Sequence, residues 1–317
     1  MRIALIDVDN CNSLDNCYPN LPLMKLSAYH KSMGDFVEWY HPDQHYDMCY
    51  MSKVFSFSPD YKEDVQADRV IKGGSGYAIQ TLDGVEHYCK SVDPSLPDEI
   101  EHMYPDYGLY NIKDTAYGFL SRGCPRGCGF CHVAAKEGRK SYKVADLSEF
   151  WRGQKKIVIC DPNILACKEW KDLLGQLAES GASVDFNQGL DLRLLTPDNC
   201  DALSKIKIKH VHFAWDRYED GPIIKPKLEM FKEYTGWGRT KVSCYVLVNF
   251  DTSIDQDIER VEFIKSLDFN PYVMRYNKES LKRGHVLNRL ARYANNKYVC
   301  WAAPSFEYYL ENEADFH

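Results

Sequence analysis

The sequence has no apolar run approaching the ~18 residues that a membrane-spanning helix requires. Its opening, MRIALIDVDN, lacks the basic and long apolar stretches of a secretory leader, so a cytoplasmic location with no membrane partner is expected. Basic charge is not in excess either. With 39 Lys and Arg against 46 Asp and Glu the formal net charge is −7, so broad attraction to a nucleic-acid backbone is not indicated. Low-complexity segments and sequence repeats are also absent. What remains, 44% hydrophobic and 27% charged residues, is the balance of an ordinary globular chain. A length of 317 residues suits one large core or two modest ones, and two domains is the better expectation.

The first hundred residues read as alternating strands and helices. Residues 2–8 form an apolar strand, 21–33 a helical stretch ending at Gly34, and 36–40 a second strand, with further strands within 46–57 and at 69–71. This βα order predicts a small Rossmann-like parallel domain. From Asp83 to Thr115, with Pro94, Pro97 and Pro105 among acidic and aromatic residues, the chain reads as a surface linker, and a domain boundary near residue 112 is expected.

Beyond it six apolar strands recur, at 117–121, 157–160, 184–187, 210–215, 243–248 and 272–276. Helical stripes lie between them: Trp170, Leu173, Leu174 and Leu177 before Gly181, and Ile258, Val261, Ile264 and Leu267. Consecutive βα units either wind an open sheet or curl into a barrel, and six units over 113–317 predict an α/β fold with a partial (β/α)6 TIM-like barrel. Lys205, Lys207 and Lys209 alternate with Ile206 and Ile208, which favours a half-exposed strand with lysines facing water over a nucleic-acid groove. The aromatic tail from Tyr298 to Tyr309, with Trp301 and Phe306, is expected either to close a barrel mouth or to plug a core.

Twelve cysteines is a high number for a reducing compartment and points to thiols, metal sites or redox chemistry rather than disulfides. Nine are scattered: Cys11, Cys17, Cys49, Cys89, Cys160, Cys167, Cys200, Cys244 and Cys300. The other three, Cys124, Cys128 and Cys131, stand in SRGCPRGCGFCH just after the first of the six strands. Gly127 and Gly129 let a backbone bend around sulfur ligands, and Pro125 stiffens the turn. Three thiolates in one loop would leave one iron of an iron–sulfur cluster open to a substrate or cofactor. Zinc would want a fourth ligand, and no second close cysteine pair is present; His132, adjoining Cys131, is awkwardly placed to share an ion.

A strand, then GCPRGCGFC, then five more βα units resembles the radical S-adenosylmethionine superfamily over residues 113 to about 280. The resemblance implies a 4Fe-4S cluster held by Cys124, Cys128 and Cys131, with Phe130 against the adenine of S-adenosylmethionine. It implies reductive cleavage of that cofactor to a 5′-deoxyadenosyl radical that takes hydrogen from a substrate, small or macromolecular, and an electron donor such as flavodoxin or ferredoxin. The cofactor's polar ends need partners at the carboxyl ends of the barrel strands. Arg193 is the choice for its carboxylate, Asp161 and Asn163 for the amino end or ribose, and Gln188 for a polar tether; Arg193 could instead pair with Asp191, and the two residues after the second strand could instead cap a helix. The GGE tripeptide common in the superfamily is replaced here by CDPN.

The N-terminal βα domain resembles that of cobalamin-dependent radical enzymes, with Lys72, Gly73, Gly74 and Ser75 after a strand. Their cobalt-ligating DxHxxG element is absent, DVDNCNSLDN standing in its place, so cobalamin is unsupported. Two alternatives complete the reading. One is a methylthiotransferase-like enzyme with a second cluster on Cys11, Cys49 and Cys89; the other is a non-catalytic iron–sulfur or zinc module.

Overall fold

In a computed structural model of the chain, residues 1–11, 18–82, 85–93 and 95–316 are described. Cys17, Asp83 and Pro94 lie outside them, as does residue 12 onward of the DVDNCNSLDN stretch. The chain groups into two compact units. The first comprises Met1–Gly118, Gly123–Lys140 and Ala145–Lys155; the second comprises Phe119–Arg122, Ser141–Val144 and Lys156–His317. This differs from a single boundary near residue 112, because the cysteine-bearing segment groups with the N-terminal residues.

In the first unit β1 (Arg2–Asp7) runs into a single turn, α1 (Val8–Cys11), and then α2 (Leu21–Ser32). Asn20 caps α2 by accepting from the Leu23 amide at 3.2 Å, and the chain leaves the helix through Gly34 at φ +82°. Next come β2 (Phe36–Trp39), β3 (Tyr46–Ser52) and β4 (Ala67–Gly73), giving a parallel sheet in the order β2-β1-β3-β4. Alternation along β1 serves two cores: Ala4 and Ile6 pack with Tyr46, Cys49 and Met51, whereas Ile3 and Leu5 pack with Leu23 and Leu26. The Gly-Gly after β4 has a packing explanation. A Cβ on Gly74, at φ +101°, would stand 2.3 Å from the Lys53 carbonyl oxygen. After α3 (Ser75–Ala78) come β5 (Ile79–Leu82) and β6 (Val85–Tyr88), which pair antiparallel, and α4 (Asp98–Glu101), so the segment read as an irregular linker from Asp83 holds a strand and a helical turn.

The larger sheet begins with β7 (Thr115–Gly118). A short antiparallel pair, β8 (Ser121–Arg122) with β9 (Tyr142–Lys143), brackets α5 (Val133–Glu137) in sequence. Then β10 (Lys156–Ile159), α6 (Trp170–Ser180), β11 (Ser183–Leu190), α7 (Pro197–Ser204), β12 (Ile208–Ala214), α8 (Gly221–Thr235), β13 (Val242–Val248), α9 (Ile254–Ser266) and β14 (Asn270–Arg275) alternate as the sequence predicts. The order β14-β13-β12-β11-β10-β7 follows the chain without reversal, and β10 to β14 pair in parallel. The fold is α/β.

Right-handed crossovers that always advance in one direction put their helices on one face. That face is sealed: Val211, Phe213, Val246 and Val273 are at most 2% exposed, and Phe213 meets Phe231 of α8 edge-on at 4.8 Å. Residues on the other face, including Asp185, His210, His212 and Tyr245, are half-buried. Ile206 and Ile208 are buried while Lys205, Lys207 and Lys209 are exposed, on the approach to β12 and at its start, and β12 itself lies inside the sheet between β11 and β13. The tail folds as α10 (Val286–Asn295), α11 (Lys297–Ala302) and α12 (Phe306–Glu311), with Phe306 and Tyr309 buried against Tyr293 as a core plug. Among the described residues, no helix is long and apolar enough to cross a membrane.

Candidate functional site

Residues 123–140 form a loop tied at its base. The Cys124 amide donates to the Gly138 carbonyl at 3.2 Å, and the Gly123 amide donates to Glu137 Oε2 at 3.0 Å. Glycine is obligatory at the entrance, where Gly123 sits at φ +82° and a Cβ would lie 2.1 Å from the Lys140 carbonyl oxygen. Gly127 takes the left-handed conformation at φ +59°, as the bend between the first two cysteines requires. A second turn, closed by the Cys131 amide on the Cys128 carbonyl at 3.0 Å, spans Gly129 and Phe130. Cys124, Cys128 and Phe130 are half-buried, and Cys131 is exposed.

The stretch after the loop is anchored within the N-terminal unit. His132 Nε2 meets Glu86 Oε2 at 3.1 Å, and Lys136 Nζ donates to Ser75 Oγ at 2.7 Å. His132 is thereby committed to a carboxylate rather than to a metal shared with Cys131.

Among the described residues, no group of three or more His, Cys, Asp or Glu side chains is drawn together as a metal ion would require. The three thiols of the loop are therefore not gathered as a metal centre would gather them, and their side chains would have to converge to hold one. The scattered cysteines do not match them. Cys49 is fully buried in the β1/β3 core, where desolvation pushes its thiol up to about 12, and Cys160 is likewise pushed up to about 12. Cys89 is half-buried, with its sulfur 3.1 Å from Ser91 Oγ, and Cys11 is exposed. A second cluster on Cys11, Cys49 and Cys89 would need Cys49 to leave its core.

At the carboxyl ends of β10 and β11 the other predicted residues form a connected polar edge. Asp161, 5% exposed, accepts from the Leu120 amide at 2.8 Å, and from the Ser121 amide and hydroxyl at 2.6 Å each. Burial raises its pKa to about 7 even though those donors favour the charged form. Asp161 thus holds the residues that immediately precede the cysteine loop in the chain. Asn163 does not cap the short turn it begins; its amide donates to Asp191 Oδ2 at 3.3 Å, and its carbonyl accepts from Ser141 Oγ. Arg193 pairs with Asp191 as the sequence allowed, Nε to Oδ1 at 2.7 Å, and also reaches Asp220 at 3.0 Å. Gln188, on β11, is exposed.

Two features of this unit were not foreseen. His210 and His212, two apart on β12, lie on the half-buried face, and the His212 ring stacks on Tyr245 at 5.2 Å with an interplanar angle of 7°. Burial lowers the pKa of both histidines, and His212 Nδ1 has no hydrogen-bond partner. Their signal was present in the sequence as His-x-His within a period-two strand. Arg260 of α9, fully buried, donates to the carbonyls of Trp215, Asp216 and Leu247 and to Asp257, joining the carboxyl ends of β12 and β13. Beside it burial lifts Asp216 to about 6. No protein-family model matches this chain, and no curated protein matches it either.

Proposed function

We propose that the chain is a radical S-adenosylmethionine enzyme whose larger sheet is the partial (β/α)6 barrel of that superfamily. The observation that carries the reading is the CxxxCxxC loop itself. Three cysteines, one exposed and two half-buried, share one glycine-rich loop after the first strand of an unreversed sheet, and the neighbouring His132 meets Glu86. Cys124, Cys128 and Cys131 would hold a 4Fe-4S cluster, which when bound supplies the electron that cleaves S-adenosylmethionine and yields a 5′-deoxyadenosyl radical.

The chain's own residues then have separable tasks. Gly123 and Gly127 give the ligand loop its backbone path, and Asp161 fixes the residues leading into it. Arg193, held by Asp191 and Asp220, is the candidate donor to the cofactor carboxylate. Because two acids already neutralise it, binding would exchange one carboxylate for another. Asn163 and Gln188 are the candidate polar contacts beside it, and Phe130 the candidate ring for the adenine. The electron would come from a donor such as flavodoxin or ferredoxin, and the substrate class stays open.

The test is anaerobic reconstitution with iron and sulfide, followed by reductant and S-adenosylmethionine. The expected result is a brown protein that forms 5′-deoxyadenosine, with Cys124→Ser, Cys128→Ser and Cys131→Ser each abolishing that product. A brown protein that forms none would instead be a non-catalytic iron–sulfur module. A colourless zinc protein would overturn both iron readings.

A further inference from the structure

The N-terminal unit contains a cavity of about 640 Å³ that the cysteine loop does not line. Its floor is the end of β1, with Leu5, Ile6 and Asp7; Trp39 and Tyr40 close it from the end of β2, and Tyr61 and Tyr110 add further rings. This is where an open parallel sheet binds ligands. The cavity opens at the carboxyl ends of β1 and its neighbour β2 in the sheet ordered β2-β1-β3-β4, the strand ends outside which open parallel sheets take their ligands.

The lining chemistry narrows the occupant. Among the described residues the lining includes no Lys, Arg or His that would neutralise a phosphate or carboxylate. The short turn that follows β1 does not substitute for a cation: its Asp9 carboxylate is already engaged by the Val54 and Phe55 amides. One carboxylate does face the cavity. Asp7 is 4% exposed; its Oδ2 accepts from Tyr110 Oη at 2.6 Å and Asn10 Nδ2 at 2.5 Å, whereas Oδ1 accepts one long bond, from the Asn10 amide at 3.3 Å. Oδ1 thus keeps acceptor capacity for a ring N–H or an exocyclic amine. Trp39 and Tyr110 pack edge to face at 5.1 Å, giving aromatic walls on which a flat ring can stack.

We propose that this crevice binds an uncharged, planar nitrogen heterocycle of nucleoside size, its donor nitrogen on Asp7 and its ring among Trp39, Tyr40, Tyr61 and Tyr110. The open Oδ1 of Asp7 suits a ring N–H donor, and a lining without a cation among the described residues discriminates against the phosphorylated form. The cavity falls within the range of small-molecule sites, roughly 300–1,000 Å³. This inference stands apart from the cluster reading and survives its failure.

Calorimetric titration of the full chain with adenosine, guanosine, cytidine and uridine, and with the 5′-monophosphate of whichever nucleoside binds best, tests it. Saturable binding of at least one nucleoside is expected, with the monophosphate weaker by about tenfold or more. Asp7→Asn should weaken the nucleoside at least tenfold, and Tyr61→Leu, which keeps the hydrogen bonds of Asp7, should weaken it several-fold, both variants retaining the wild-type circular dichroism spectrum. Asp7→Asn should leave 5′-deoxyadenosine formation unchanged, which separates this crevice from the site that cleaves S-adenosylmethionine. The proposal is overturned if no nucleoside binds at millimolar concentration, if the monophosphate binds as well as or better than the nucleoside, or if both folded variants bind like the wild type.

Discussion

Asp161 holds its proton more tightly in the folded chain than in the unfolded one, because burial lifts its pKa from 3.8 to about 7 and outweighs three hydrogen bonds that favour the charge. Between those values the native state keeps a proton that the unfolded chain has released. The contribution of Asp161 to stability should therefore decline as the pH rises from about 4 to about 7 and level off above that, by at most about 1.4 kcal/mol for each pH unit in the window, against the opposite trend of carboxylates held low such as Glu38 and Asp106. Asp216, lifted to about 6, acts with the same sign. Asp161→Asn cannot titrate, so its urea midpoint should fall less steeply with pH than that of the wild type. At pH 4.5 the variant should also be less stable by about 1–3 kcal/mol, because its amide turns a donor towards the Leu120 and Ser121 donors. Equal slopes from pH 4.5 to 8 would mean that this carboxyl is not the source of the decline.

Elements of the larger unit are joined by one side chain that periodicity does not reveal. Arg260 lies on the inward stripe of α9 beside Val261 and Ile264, a place where a hydrophobic residue would be read, yet it satisfies three strand-end carbonyls and Asp257 at 2.5 Å. Arg260→Leu should cost about 3–5 kcal/mol in chemical denaturation, since it strands a buried carboxylate. Adding Asp257→Leu should recover part of that loss, and a double variant as unstable as the single would show that the stranded charge is not what matters. The same contrast explains which elements were legible. All six strands of the larger sheet and the α6 and α9 stripes follow from period-two and helical spacing, and Gly34 and Gly181 mark helix ends because each takes a positive φ. The hairpin of β5 and β6 was missed at the start of a segment rich in acids and prolines, although the Asp83-Gly84 dipeptide between its strands is a hairpin signal in the sequence. The pairing of Asn163, Asp191, Arg193 and Asp220 was legible only in part: residue type and strand-end position point to the neighbourhood, whereas partners depend on a tertiary register that no local pattern encodes.

Across the whole molecule the eleven cysteines among the described residues divide by environment, and that division makes the cluster reading testable without any enzymatic assay. Cys49, Cys167, Cys200, Cys244 and Cys300 are buried, and desolvation pushes every one of these thiols up; Cys160 is half-buried with its thiol likewise raised, which leaves little reactive thiolate at neutral pH. Cys89, Cys124, Cys128 and Cys131 are exposed or half-buried, and so is Cys11, although desolvation raises its thiol as well. Brief alkylation of the metal-free folded chain, read by mass spectrometry, should therefore mark these five ahead of the six. After anaerobic loading with iron and sulfide, protection should appear at Cys124, Cys128 and Cys131 together, because a thiolate bound to iron is no longer a nucleophile, while Cys11 and Cys89 go on reacting. If protection spreads to Cys11 and Cys89, a second cluster has formed in the N-terminal unit and the core position of Cys49 must have opened to complete it. If no cysteine gains protection although iron and sulfide were supplied, the loop is a glycine-shaped turn that happens to carry three thiols, and the radical chemistry proposed for the chain goes with it.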